Sequence, residues 1–142
     1  SKYSSTTDRD LAQYWSLCGG VYSISLPTET ALYKSMPLSR SQRSLLARLR
    51  MGTLPLALET GRYVNRPVAE RLCLQCDAHE VEDEIHCILN CRKYLEIRRL
   101  HLNDLDISGL HGIDYIKYIF SDYHRIKRLA HYLRDAFQIR TQ

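Results

Sequence analysis

The stretch RLCLQCDAHEVEDEIHCILNC, from Arg71 to Cys91, constrains this chain more than any other. It contains four of the five cysteines and two of the six histidines of the sequence. A Cys-x2-Cys pair is followed by a His after nine residues and by a further Cys after four. Zinc prefers four nitrogen or sulfur ligands in a tetrahedron, and two residues between a pair of thiolates let the chain turn around the metal. The pattern therefore predicts one bound Zn²⁺ ion.

The second half of this zinc pattern is expected on or just after a helix. Asp77 and Glu80 have the spacing of a capping box. An apolar stripe of helical period follows, formed by Val81, Ile85, Ile88 and Leu89. The acidic residues of EVEDE suit the positive end of the helix dipole in its first turns.

Local geometry leaves the third ligand open. On an unbroken helix, His86 and Cys91 point about 140° apart, whereas Cys87 and Cys91 point nearly the same way. Either Cys87 takes the place of His86 as a ligand, or the helix ends or bends near Asn90 and brings Cys91 towards His86.

A disulfide framework or a redox motif fits these cysteines less well than a metal site does. An odd number of cysteines argues against a disulfide framework. A redox Cys-x-x-Cys motif would need a strand-to-helix context, which is absent. Cys18 lies far from the cluster and is expected to be a small buried side chain, and His79 is expected to be solvated.

The sequence as a whole predicts a mostly α-helical fold, a small domain organised around one structural zinc site. Its 142 residues, 44% of them hydrophobic, suffice for one domain with a core. Residues 1–28 are expected to form an N-terminal helix and one short strand, VYSISLP. Residues 29–142 are expected to form the zinc-binding helical domain, which begins with a helix through TETALYKSM and ends with a basic helix.

Three further helices have clear local signals. In SRSQRSLLARLRMG, Ser39 and Gln42 have capping-box spacing and Gly52 is a natural stop. GIDYIKYIFS predicts a short core helix. DYHRIKRLAHYLRDAFQIR predicts a longer helix, whose apolar stripe consists of Ile126, Leu129, Ala130, Leu133 and Phe137. TLPLALETGRYVNRPVAER, which precedes the cysteines, is typical of a turn-rich connector.

Positive charge is a second functional signal. Fifteen of the twenty basic residues are arginines, whose planar guanidinium suits phosphates and base edges, and the net charge is +4. Basic side chains gather on one side of the first and last of these helices, and the candidate nucleic-acid contacts are Arg40, Arg43, Arg50, Lys127, Arg128, His131 and Arg134. The alternative interpretation is an ordinary solvated helix face. Four tyrosines either stack on bases or fill the core, namely Tyr115, Tyr118, Tyr123 and Tyr132.

The segment LLARLRMGTLPLALETGRYVNRPVAERLCLQCDAHEVEDEIHCILNCRKYLEIRR resembles the zinc-binding domain that follows the reverse transcriptase in LINE-type non-LTR retroelements. The residues that match the family pattern are Arg48, Arg50, Gly61, Arg62, Tyr63, Cys73, Cys76, Glu82, His86, Cys91, Tyr94 and Arg98. The resemblance implies that the zinc ligands are Cys73, Cys76, His86 and Cys91. It also implies that Cys87 stands at a usually apolar position. Relatives commonly carry Pro directly after the last cysteine, where this chain has Arg92.

The resemblance further implies that the domain binds nucleic acid, RNA or DNA, within a mobile-element protein or a host protein derived from one. Arg62, Arg66 and Arg71 lie close to the cysteine pair in the sequence and are further candidate phosphate contacts. The expected partners are nucleic acid and the reverse transcriptase or another part of the parent protein.

Catalysis is not expected within these residues. After Cys91 the acidic residues lack the Pro-Asp and Glu-x-Lys spacings of a restriction-like endonuclease. No membrane span or signal peptide is expected, which favours an intracellular protein. Within the cell, the expected location is the nucleus. The alternative function is a zinc-stapled protein-protein interaction module without nucleic-acid binding.

Overall fold

The computed structural model of the chain describes residues 37–103 and 113–140. The expected N-terminal helix, the short strand VYSISLP, the helix through TETALYKSM and Cys18 lie outside the described residues. The division expected at residue 28 therefore stays a prediction.

Most of the described residues are helical, which confirms the predicted fold class. The α-helices are α1 (Arg40–Met51), α2 (Ala57–Tyr63), α3 (Leu95–Leu102), α4 (Ile113–Phe120) and α5 (Tyr123–Ile139). Two single 3-10 turns span Val68–Glu70 and Arg92–Tyr94, and a wide π-type turn spans His86–Asn90. The described residues contain no strand, and their β-pairing is one antiparallel bridge between Leu72 and Val81.

Helix α1 forms where its local signals place it. Gln42 N donates to Ser39 Oγ at 3.1 Å, and Ser39 N donates to Gln42 Oε1 at 2.8 Å, which completes the predicted capping box. Gly52 ends the helix with a φ of 71°, a left-handed conformation that glycine adopts without steric cost. Leu46 and Leu49 are buried, so one face of α1 enters the core.

Helix α5 is the central element of the core. Its N-cap is Asp122, whose side chain accepts from the backbone amides of His124 and Arg125. It packs against α1, α3 and α4. The predicted stripe is confirmed at its four buried members, Ile126, Leu129, Ala130 and Leu133, and Phe137 is half-buried against the same core.

The connector before the cysteines is more ordered than predicted, because it contains helix α2. The amide of Ala57, in the first turn, donates to Glu82 Oε1 at 2.7 Å. Glu82 lies 25 residues further along the chain. A helix start that depends on such a distant acceptor leaves no local capping signal in the sequence.

The predicted capping box of Asp77 and Glu80 is wrong. Cys73 N donates to Glu80 O at 2.8 Å and Glu82 N donates to Arg71 O at 3.1 Å, so residues 73–80 form a non-helical loop closed by backbone pairing, and no helix begins between Cys73 and Glu82. The helical turn starts at Glu84 instead, where Asp83 Oδ1 accepts from His86 N at 2.7 Å. Long-range backbone pairing overrides the local signal here.

Candidate metal centre

The first two candidate ligands lie on a tight knuckle. The bridge between Leu72 and Val81 closes its base, and Cys73 and Cys76 lie on its first half. Gln75 N donates to Cys73 Sγ, with a donor-acceptor distance of 3.4 Å. An amide that points at a sulfur atom favours the thiolate form, which is the form that binds metals.

The other two candidate ligands are brought together by the π-type turn. Cys91 N donates to His86 O at 2.7 Å, a bond between residues five apart instead of four. Cys91 itself is extended, with φ −65° and ψ 125°. The helix therefore widens and ends near Asn90, which is one of the two arrangements that the sequence left open, and it does so without a proline at Arg92.

The four predicted ligands meet at one point. Their ligand atoms all lie within 4.8 Å of one another. Cys73 Sγ is 3.9 Å from Cys91 Sγ, and Cys76 Sγ is 3.4 Å from His86 Nε2. A tetrahedral zinc with ordinary bond lengths requires about 3.8 Å between two sulfur ligands and about 3.6 Å between sulfur and nitrogen. The cluster of Cys73, Cys76, His86 and Cys91 can therefore hold a metal ion.

The surroundings of these ligands fit a bound cation. Burial raises the pKa of the Cys73 thiol; the Gln75 amide opposes that effect, and the negative charge of Glu82 adds to it. Burial also raises the pKa of Cys91. A divalent cation reverses this preference because it binds thiolates directly. His86 Nε2 is the ring atom that faces the cluster, and Nδ1 is buried without a hydrogen-bond partner among the described residues.

A buried ion pair ties the metal cluster to distant parts of the fold. Both guanidinium nitrogens of Arg140 donate to the carboxylate of Glu82, each at 2.5 Å, and Glu82 is fully buried. Glu82 Oε2 also lies 3.6 Å from Cys73 Sγ, and Arg140 Nη1 donates to Tyr94 Oη at 3.0 Å. Burial by itself would lower the pKa of Arg140, but its bonds and attraction to Glu82 raise it. The end of α5, the start of α2 and the metal centre thus share one carboxylate.

The role of Arg140 was not predicted. Its partner Glu82 is 58 residues away, so no spacing pattern connects the two. The family resemblance pointed at Glu82 and Tyr94 but assigned no role to either.

Backbone carbonyls of the widened turn are satisfied by side chains from two helices. Arg98, on α3, donates from Nε to Ile88 O at 2.7 Å and from Nη2 to Cys91 O at 2.9 Å. Tyr132, on α5, donates to Cys87 O at 2.5 Å. A π-type turn leaves carbonyls without their usual helical partners, and these bonds compensate for that loss.

Arg71 has a structural position that does not suit its predicted role as a phosphate contact. It is buried, with 3% of its surface exposed, and donates to Arg66 O and Leu58 O, both at 2.9 Å. Its stem packs on Gly61, where an added Cβ would lie 2.6 Å from Arg71 Cγ. Arg71 therefore fixes the segment between α2 and the knuckle. This structural role replaces its predicted role as a phosphate contact.

The other predicted nucleic-acid contacts are more accessible. Arg40 and Arg43 are exposed on α1, and Arg62 and Arg66 are exposed at the end of α2. The half-buried side chains on α5 are Lys127, Arg128, His131 and Arg134. The side chain of Arg50 lies outside what the structure describes.

Two of the four candidate stacking tyrosines belong to the core. Tyr115 and Tyr132 are buried, and burial raises the pKa of both phenols. Tyr118 and Tyr123 are half-buried. The suggestion that tyrosines help to fill a small core is therefore confirmed for the first two.

The comparisons with known proteins add no relative. No family, no curated protein and no solved structure matches the chain. The resemblance to LINE-type retroelements therefore stays a prediction. In the part of the chain that the structure describes, no helix has the length and apolar character that crossing a membrane requires.

Proposed function

We propose that the chain is a zinc-stabilised nucleic-acid-binding domain of a mobile-element protein, or of a host protein derived from one. Three thiolates and one imidazole are a donor set that zinc prefers over magnesium or calcium. Four protein ligands leave no open coordination position, which favours a structural ion and a non-catalytic domain. When bound, the ion supplies folding energy by joining the knuckle to the widened turn.

The observation that carries the nucleic-acid proposal is the junction of the two predicted basic faces. The side chain of Gln42 on α1 contacts His131 on α5, with 2.9 Å between Gln42 Nε2 and His131 Nδ1. Arg43 is exposed next to Gln42, and Lys127 and Arg134 lie one turn before and one turn after His131. The two helices that carry these basic residues are thus in direct contact, which supports a shared surface for a phosphate backbone.

Salt-dependent binding tests this function. We expect the zinc-loaded chain to bind single-stranded RNA or duplex DNA in a fluorescence-anisotropy titration, with an affinity that falls at least about tenfold between 50 and 200 mM salt. The double variant Arg40→Gln, Arg43→Gln should bind more weakly and reduce the salt slope by about 2. Arg99→Gln is the matched control, because Arg99 is an exposed arginine of α3, paired with Glu96 at 2.9 Å.

The expected location and the expected protein partner depend on the same binding experiment. A nuclear location and contact with the reverse transcriptase of a parent protein follow from the proposed mobile-element origin. Absence of binding to every oligonucleotide at low salt would contradict the proposal. It would favour the protein-docking module instead, for which Leu74 and Leu100, 83% and 71% exposed, are the first residues to substitute.

A further inference from the structure

We propose that the end of helix α2 forms a stacking site for an unpaired nucleobase of single-stranded RNA or DNA. Tyr63 supplies the stacking surface, and Arg62 and Arg66 lie beside it for the flanking phosphates. This inference rests on the proposed nucleic-acid binding and adds the class of ligand and the place where it binds.

Tyr63 is unusual in its exposure. It is 70% exposed, and the adjacent Val64 is 66% exposed. Every other tyrosine and phenylalanine with a described side chain is buried or half-buried. Exposed aromatic surface of this size loses contact with water when a flat, apolar group covers it, and the face of a base is such a group.

The ring is held in place by neighbours on its own helix. Glu59 Oε1 accepts from Tyr63 Oη at 3.2 Å and from Arg62 Nη2 at 2.5 Å. The guanidinium carbon of Arg62 lies 5.1 Å from the centre of the tyrosine ring. One carboxylate therefore orients both the aromatic ring and the cation next to it, while 49% of the arginine side chain remains exposed.

The backbone below the ring is fixed as well. Arg66 N donates to Gly61 O at 2.9 Å and Asn65 N donates to Arg62 O at 3.2 Å, with Asn65 in the left-handed conformation at φ 55°. This pattern is a Schellman turn with asparagine in the place of glycine. The buried Arg71 donates to Arg66 O from the other side. A site that is rigid before binding loses little conformational entropy when the ligand arrives.

The chemistry of the site favours a single strand. In a duplex both faces of each base are covered by neighbouring bases, so only an unpaired base can stack on a side chain. The two exposed arginines supply charge complementary to its phosphates. One turn before Tyr63, Thr60 lines a cavity of about 440 Å³ between α2, the knuckle and the end of α5, whose walls include Leu74, Phe137 and the paired Glu82 and Arg140. The cavity gives the neighbouring nucleotide a place to lie.

Substitution of Tyr63 in the zinc-loaded full chain tests the site. We expect Tyr63→Ala to weaken binding of a fluorescein-labelled single strand about tenfold and to leave duplex binding within about twofold. Tyr63→Phe keeps the ring but loses its hydrogen bond to Glu59, so it should bind the single strand more tightly than Tyr63→Ala does. Leu100→Ala is the matched control, since it removes an exposed apolar side chain from α3. Zinc content and circular dichroism verify that each variant is folded.

Two further measurements locate the base and identify the strand. Irradiation of a bound 5-iodouracil oligonucleotide should join the base to Tyr63 with loss of hydrogen iodide, and mass spectrometry should find the adduct there. RNA and DNA strands of one sequence, titrated in parallel, show which source of unpaired base is preferred. Three outcomes would overturn the stacking site while leaving nucleic-acid binding intact. They are equal single-strand affinity for Tyr63→Ala and the unsubstituted chain, an equal loss of affinity for duplex and for single strand in Tyr63→Ala, and an adduct at a residue other than Tyr63. Absence of binding to all oligonucleotides would overturn both proposals.

Discussion

Cys87 and Cys91 are both completely buried, yet their thiols have different surroundings. Cys91 Sγ lies 3.9 Å from Cys73 Sγ within the cluster that can hold a metal ion. Burial raises the pKa of both thiols; the backbone amide of Lys93 opposes the rise at Cys91, and the positive charge of Arg140 opposes it at Cys87. Both cysteines belong to the hydrophobic core, but of the two, Cys91 alone is also part of the metal cluster. The sequence spacing was sufficient to find the cluster but not to choose between His86 and Cys87, because that choice depends on one hydrogen bond in the turn.

Replacing each of these cysteines should separate the two roles. We expect Cys91→Ser to lower zinc affinity at least about 100-fold, because the site loses a thiolate. We expect Cys87→Ala to retain one zinc per chain and to lower the free energy of unfolding by about 1 kcal/mol through the small cavity that it leaves. Zinc titration against a chromogenic chelator and urea unfolding measure the two effects. Loss of zinc from Cys87→Ala with retention in Cys91→Ser would reverse the assignment.

Some elements of the fold are determined by residues within the element itself, and others by contacts with residues that are distant in the sequence. The ends of α1 and the buried face of α5 depend on residues within each helix, so capping signals and apolar period predict them. Helix α2 and the late start of the turn that carries His86 depend instead on Glu82 and on the bridge between Leu72 and Val81. These contacts join residues that are distant in the sequence, and single-sequence patterns do not carry them.

The turn after Cys91 gives a prediction at the scale of an element. Cys91 is extended, the conformation preferred before proline, and Arg92 is the first residue of a 3-10 turn, where proline is tolerated. We expect Arg92→Pro to preserve zinc binding and to raise the free energy of unfolding by about 0.4–1 kcal/mol, because it restricts the unfolded chain. Lys93→Pro is the matched control. It should weaken zinc binding, because it removes the amide that hydrogen bonds to the Cys91 thiol. Equal effects of the two substitutions would show that the extended conformation of Cys91 is not what ends the helix.

At the scale of the whole molecule, the candidate metal centre and the helical core form one unit within the described residues. A single cluster of buried residues contains the metal-site cysteines Cys73 and Cys91 together with core residues of α1, α3, α4 and α5. The ion pair of Glu82 and Arg140 adds a polar connection between the centre and the end of α5. Loosening the knuckle should therefore destabilise helices that carry no metal ligand.

Removal of zinc should consequently destabilise all of the helices that share this core. We expect a strong chelator at pH 7 to lower the thermal midpoint, followed by far-ultraviolet circular dichroism, by at least about 10 °C. Arg140→Met in the zinc-loaded chain leaves the Glu82 carboxylate buried without its cation and should lower the free energy of unfolding by about 3 kcal/mol. Arg99→Met, which breaks an exposed pair with Glu96, should change the free energy of unfolding by less than about 1 kcal/mol.

After chelation of zinc, backbone amides of α5 should lose hydrogen-exchange protection together with those of the widened turn, because opening of the centre exposes the pair of Glu82 and Arg140 to water. If α5 keeps its protection after chelation while the knuckle loses its own, the two parts fold separately and the shared core is not cooperative.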